Sequence, residues 1–148
     1  MLITDLLQPE NVSLIDLDDK TQVITQLVEK AKELQLVPHQ GSFLQAILDR
    51  EQIMSTGLGL GVAVPHAKLA EVKDFFVLIG IMKQPVPWDS LDKLPVSLVF
   101  MIGGPDDRQT DYLKLLSKIT LVIKNPQRRE ALLKAQTPQE VLTQFEGL

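Results

Sequence analysis

The 148-residue chain has no cysteine. Disulfides, thiolate nucleophiles and cysteine-based zinc or iron–sulfur sites are therefore excluded. It also lacks an excess of positive charge: the formal net charge is -4 and the isoelectric point about 5.1. A phosphate backbone selects for basic faces, so nucleic acid is not the expected partner. No apolar run approaches the roughly 20 residues that span a bilayer, and direct membrane insertion is not expected. The opening Met1-Leu2-Ile3-Thr4-Asp5-Leu6-Leu7 has neither the basic flank nor the apolar stretch of a signal peptide. A cytoplasmic protein is the reading that follows.

Several chemical signatures are missing too. Gly57-Leu58-Gly59-Leu60-Gly61 has Val62 where a dinucleotide fingerprint needs its third glycine, and no Gly-Lys-Ser/Thr triplet forms a nucleotide-phosphate loop. No Gly-x-Ser-x-Gly elbow marks a serine hydrolase. With only two histidines, His39 and His66, far apart and without cysteine support, no metal site is identified. His39, after Pro38, reads as a surface loop residue.

What is present is an ordinary globular composition, 45% hydrophobic and 23% charged, enough for one domain, 1–148, with a real core. A helical turn is predicted over 2–7, and Val12–Leu17 reads as a short edge strand or an extended lead-in. Asp18 or Asp19 caps a helix over about 20–35, with Val23, Leu27, Ala31 and Leu34 at helical spacing. Ser42 is the predicted cap of a second helix reaching about Met54 and carrying Arg50. Phe75–Met82 and Val96–Ile102 are continuously apolar, as strands covered on both faces are. Pro85–Lys93 reads as the loop between them, with the chain's only tryptophan, Trp88. Asp106-Asp107 reads as the cap of a helix over about 108–124, with Leu113, Leu116, Thr120 and Ile123 as its core stripe. Asn125-Pro126 and Thr137-Pro138 open two more helices, and Gln127-Arg128-Arg129 reads as a solvated face. This alternation predicts an α/β fold: a single mixed β-sheet flanked by helices on both faces.

The stretch Met54–Lys68 stands out. Glycines at 57, 59 and 61 lead into Val62-Ala63-Val64, then Pro65 and His66. Proline fixes its own φ and extends the residue before it, so the run reads as a strand ending at His66. On pattern alone, a histidine after proline is a turn residue more often than a reactive one.

The motif formed by Arg50-Glu51 and Ser55-Thr56-Gly57-x-Gly59-x-Gly61-Val62-Ala63-Val64-Pro65-His66-Ala67 resembles the enzyme IIA domain of the phosphoenolpyruvate-dependent sugar phosphotransferase system. The type is the fructose/mannitol one, which includes a nitrogen-regulatory relative. The likeness continues through both apolar strands and Leu113-x-Leu115-Leu116-Ser117 to the C-terminal helices. It implies that His66 accepts a phosphoryl group from a phosphorylated histidine carrier protein and passes it to a IIB partner. It also implies that Nε2 is the phosphorylated atom, with the other ring nitrogen free for a backbone carbonyl. Arg50, Ser55, Thr56, Gly57 and Tyr112 would shape the phosphate pocket, with N–H groups of the Gly-rich segment cradling the phosphoryl oxygens. Such transfer depends on positioning and electrostatics, and no cofactor or metal is implied.

Two positions depart from the family pattern. Leu60 stands where Asn is frequent, and Tyr112 stands where a second histidine is common. A tyrosine hydroxyl donates a hydrogen bond to a phosphoryl oxygen but is neither cation nor proton acceptor near pH 7. Tyr112 reads equally as core packing. The alternative function is a regulatory IIA-like module whose phosphorylation state controls binding to a transporter, kinase or channel, with sugar transfer lost. A third reading, a hydrolase with His66 as base, has no further support.

Overall fold

A computed structural model describes residues 3–148; Met1 and Leu2, and with them the start of the turn predicted over 2–7, lie outside the described residues. Within that turn Ile3–Asp5 is 3₁₀-helical, and a second 3₁₀ turn covers Pro9–Asn11. The strands are β1 (Val12–Ile15), β2 (Gly57–Gly59), β3 (Val62–Ala63), β4 (His66–Lys68), β5 (Phe76–Val86) and β6 (Val96–Gly104). The helices are α1 (Lys20–Glu33), α2 (Gln40–Ile53), α3 (Gln109–Lys124), α4 (Pro126–Lys134) and α5 (Pro138–Thr143).

One mixed sheet runs in the order β1-β5-β6-β3-β2, with β4 also paired to β6. β5 and β6 are antiparallel, whereas β1 is parallel to β5, and β3 and β4 are parallel to β6. Side chains along a strand alternate between faces, so Val77, Ile79 and Ile81 enter one core and Phe76, Leu78 and Met82 the other. The first core is closed by α3, α4 and α5 through Leu115, Ile119, Leu132 and Val141. The second is closed by α1 and α2 through Ile24, Leu27, Phe43 and Ile47. Fully burying each such side chain contributes about 1.5–3 kcal/mol before the entropy of ordering it is counted. Helices therefore cover both faces, as the apolar strands predict.

The local expectations divide. Val12–Ile15 is an edge strand, Asp19 caps α1 by accepting the Gln22 N–H at 3.0 Å, and Asn125 and Thr137 cap α4 and α5. α2 begins earlier than predicted, with His39 rather than Ser42 at its cap position. The Ser42 hydroxyl instead bonds back to the His39 carbonyl and to Glu71. His39 itself is exposed.

The α3 stripe departs from the prediction by one residue at Leu113, whereas Ile123 is buried as predicted and Leu116 packs against the core's edge. Tyr112, Leu115, Ile119, Val122 and Ile123 are buried while Leu113 is 52% exposed. A shift of one residue rotates a helix by about 100°, and the abundant leucines satisfy either stripe. Asp106 and Asp107 are exposed and do not cap α3, whose cap position is Arg108. β5 continues through Pro85 to Val86, shortening the predicted loop, and β6 includes Gly103 and Gly104. Arg128 and Arg129 are not simply solvated. They donate to the carbonyls of Gln144 (2.9 Å) and Ile123 (2.8 Å), tying the C-terminal helices together.

Candidate active site

His66 does not end a strand; it starts one. β3 pairs with β6 at Leu98 and Val99, and β4 pairs with the same strand at Ile102, Gly103 and Gly104. Pro65 separates the two because it has no N–H to give to the ladder, but its carbonyl accepts from Ile102 at 3.0 Å. The Leu69 N–H bonds the Gly104 carbonyl at 2.9 Å. Main-chain groups alternate sides along a strand, so the N–H groups of His66 and Lys68 point away from β6, toward the open edge.

The interruption leaves the Val64 carbonyl outside the ladder, and it lies 2.9 Å from His66 Nδ1. A carbonyl only accepts, so Nδ1 carries the proton and Nε2 keeps its lone pair. Burial is the largest influence on the ring and lowers its pKa below the usual 6.5. The Val64 carbonyl opposes this, the Arg50 and Lys68 charges lower it further, and Glu51 raises it. The neutral, nucleophilic tautomer is thus the form present at pH 7.

Around the ring lies a pocket of about 350 Å³ lined by Ala46, Arg50, His66, Ala67, Lys68 and Tyr112. α2 reaches it from one face of the sheet with Ala46 and Arg50, and α3 from the other with Tyr112. The alanines keep the floor low. The Tyr112 and His66 ring centroids are 5.9 Å apart. Phe75 stacks behind Tyr112 at 6.3 Å, and Lys68 Nζ lies 4.5 Å from its ring centre. Lys68 also donates to Gln109. Burial raises the Tyr112 pKa above 10.0, against the pull of Arg50, so its hydroxyl stays protonated. Among the described residues the Arg50 guanidinium makes one long contact, 3.5 Å to the Met54 carbonyl, and keeps most of its donors for another acceptor. Two cations, one hydroxyl and a free imidazole nitrogen suit a small dianion such as a phosphoryl group.

Of the residues predicted for the pocket, Arg50, His66 and Tyr112 meet there, and Ser55, Thr56 and Gly57 do not line it. The Ser55 hydroxyl donates to the Trp88 carbonyl at 2.7 Å and accepts from the Gly57 N–H at 3.1 Å. Thr56 is buried, with its N–H on Glu51 and its hydroxyl accepting from the Trp88 indole. These residues pin the 87–91 segment against the end of α2. The glycines form a hairpin rather than a phosphate cradle. Gly59 and Gly61 take positive φ, 93° and 78°, at its turn, and the Leu60 N–H there is bonded to Asp92. Val62 pairs with Leu98 and His66 with Ile102, which puts the turn about 13 Å down the strand from His66 at ~3.3 Å per residue. Gly57 is required because a side chain there would strike Ser90.

Lys68 is a pocket residue that sequence reasoning missed. The signal was available, because residues i and i+2 of a strand share a face.

The chain matches, over residues 5–147, the family described as phosphoenolpyruvate-dependent sugar phosphotransferase system, EIIA 2. It is 33% identical over 126 residues to a nitrogen regulatory protein of Bradyrhizobium diazoefficiens, covering 84% of this chain and 82% of that one. To a PTS system fructose-specific EIIA component of Haloferax volcanii it is 32% identical over 145 residues, covering 95% and 94%. The crystal structure of nitrogen regulatory protein IIA-Ntr from Neisseria meningitidis superposes with a TM-score of 0.89 at 26% identity, over 97% of this chain and 98% of that one.

Proposed function

The chain belongs to the EIIA 2 family of the phosphoenolpyruvate-dependent sugar phosphotransferase system, and we propose that within it His66 is the residue that carries the phosphoryl group. The observation that carries this reading is the Nδ1–H contact to the Val64 carbonyl, which frees Nε2 at the mouth of a cationic pocket. The donor is a phosphorylated histidine carrier protein in the cytoplasm, and the acceptor is a IIB protein or domain.

In the first step the Nε2 lone pair attacks phosphorus and the donor's P–N bond breaks as the P–Nε2 bond forms. Each ring keeps the proton on its other nitrogen, so the step needs no added acid, base or oxidant. Phosphorylation makes the His66 ring cationic, which strengthens its bond to Val64. Arg50 pairs with the phosphoryl oxygens, Lys68 adds a second positive charge, and the neutral Tyr112 hydroxyl donates one hydrogen bond.

Tyr112 also favours a second reading, in which the phosphorylated state is the signal and controls docking to a regulated target. With an unionised hydroxyl in place of an imidazole, the pocket holds a dianion without a second group that exchanges a proton near pH 7 to assist its departure. Onward transfer is then slow and the phosphorylated form long-lived. The test is the lifetime of phosphorylated protein with and without a IIB acceptor, in wild type and Tyr112→His. A lifetime shortened by IIB only in the histidine variant supports the regulatory role. Rapid discharge of wild type to IIB supports the carrier role.

A further inference from the structure

Glu51 follows Arg50 on the last turn of α2, but its side chain turns inward. The residue is 9% exposed. Oε1 lies 2.7 Å from Lys20 Nζ and accepts the Thr56 N–H at 3.0 Å. Oε2 is buried and has no hydrogen-bond partner among the described residues. Lys20, at the start of α1, also donates to the Trp88 carbonyl at 3.3 Å and lies 5.5 Å from the centre of the Trp88 ring. One buried carboxylate therefore joins α1, the end of α2, the lead into β2 and the Trp88 segment.

A buried ion pair is weak as a stabilising device, since apolar residues of equal volume commonly serve as well. A group with an unpartnered oxygen is weaker still. Its location points to another role. The charged and titratable groups around His66 are Arg50 and Glu51 from α2, Lys68 from β4 and Tyr112 from α3. Glu51 is the one negative charge among them.

We infer that Glu51, held by Lys20, is a positioning residue for phosphoryl transfer: it fixes the last turn of α2 so that Arg50 faces His66, and it sets one negative charge behind the pocket's two cations. The inference rests on the reading of His66 as the phosphoryl acceptor. Fixing α2 keeps the guanidinium where the phosphoryl oxygens arrive. The buried charge tempers Arg50 and Lys68, which otherwise withdraw electron density from the nucleophilic ring. Lys20, on the Oε1 side, offsets part of that field, and what remains acts on the ring.

The test compares wild type, Glu51→Gln and Glu51→Asp in two measurements. One is the rate of His66 phosphorylation by the phosphorylated carrier protein. The other is the titration midpoint of the His66 ring by NMR, which needs no phosphoryl donor. Glu51→Gln is expected to slow phosphorylation by between about tenfold and a hundredfold, the loss that a displacement of about 1 Å causes, and to lower the midpoint. Glu51→Asp keeps the charge but draws it away from Thr56, so the midpoint stays near wild type while the rate falls. If Glu51→Gln does not fold, Lys20→Gln/Glu51→Gln leaves no cation uncompensated; it carries the same expectation for the rate and, because a cation is lost with the anion, a smaller lowering of the midpoint. A slower rate with an unmoved midpoint in the Gln variants would overturn the inference, as would a wild-type rate. Failure of wild type itself to take the label overturns the acceptor reading instead, and the titration still decides whether Glu51 charges the pocket.

Discussion

Val64 and His66 are two residues apart, and the carbonyl of the first lies 2.9 Å from Nδ1 of the second. Pro65 between them makes the contact possible, because it breaks the ladder and leaves the Val64 carbonyl for the ring. Backbone geometry therefore selects the tautomer.

The His66 ring is predicted to titrate below 6.5, since burial, Arg50 and Lys68 together outweigh Val64 and Glu51. The unfolded chain then binds a proton more readily than the native one below that pH. His66 thus contributes stability that is present above about pH 6.5 and lost as the pH falls through its lower native midpoint. Urea unfolding across this window is expected to show stability rising with pH, and the slope to be shallower in His66→Gln.

Arg50→Met removes the pocket's forked donor and is expected to slow phosphorylation by one to two powers of ten, given ~1.5–3 kcal/mol for a hydrogen bond to a charged group. Arg50→Lys keeps the charge but not the fork, and is expected to recover only part of the rate. Stability should hardly change, because the hydrogen bond Arg50 makes to the Met54 carbonyl is long.

Tyr112 has two jobs that substitutions separate. Tyr112→Phe keeps the stacking with Phe75 and removes the hydroxyl proposed to bond the phosphoryl group, so the phosphorylated protein should decay faster at unchanged melting temperature. Tyr112→Ala leaves a cavity in the core and is expected to cost about 3–5 kcal/mol in chemical denaturation.

Leu60 has a φ of 60° and is half exposed at the hairpin turn. A β-carbon in that region costs about 1–2 kcal/mol, less for Asn than for Leu. Leu60→Asn or Leu60→Gly is expected to raise stability by up to about 1 kcal/mol, readable as a higher denaturation midpoint, with no change in His66 phosphorylation.

Period and punctuation made the architecture legible. The runs at 75–82 and 96–102 read as covered strands, and Asp19, Asn125 and Thr137 read as helix starts. Arg50, His66 and Tyr112 were legible as a group only through a motif. What failed did so for physical reasons. Glycines flanking a reactive-looking histidine suggest a phosphate cradle, yet Gly59 and Gly61 serve a turn and Gly57 serves Ser90. Ser55 and Thr56 look like phosphate donors, yet the Ser55 hydroxyl donates to the Trp88 carbonyl and the buried Thr56 hydroxyl accepts from the Trp88 indole, 33 and 32 residues on. The α3 phase was ambiguous because its leucines fit two faces. Glu51 stands in the motif beside Arg50, but its inward turn was not legible, since only tertiary contacts with Lys20 and Thr56 produce it.

The most direct test incubates the protein with phosphoenolpyruvate, enzyme I and the histidine carrier, and reads intact mass before and after acid treatment. One acid-labile phosphoryl group on wild type, absent from His66→Ala, is the predicted result. No label on wild type, with the carrier shown to phosphorylate another IIA protein, or a label that persists in His66→Ala, would contradict the account.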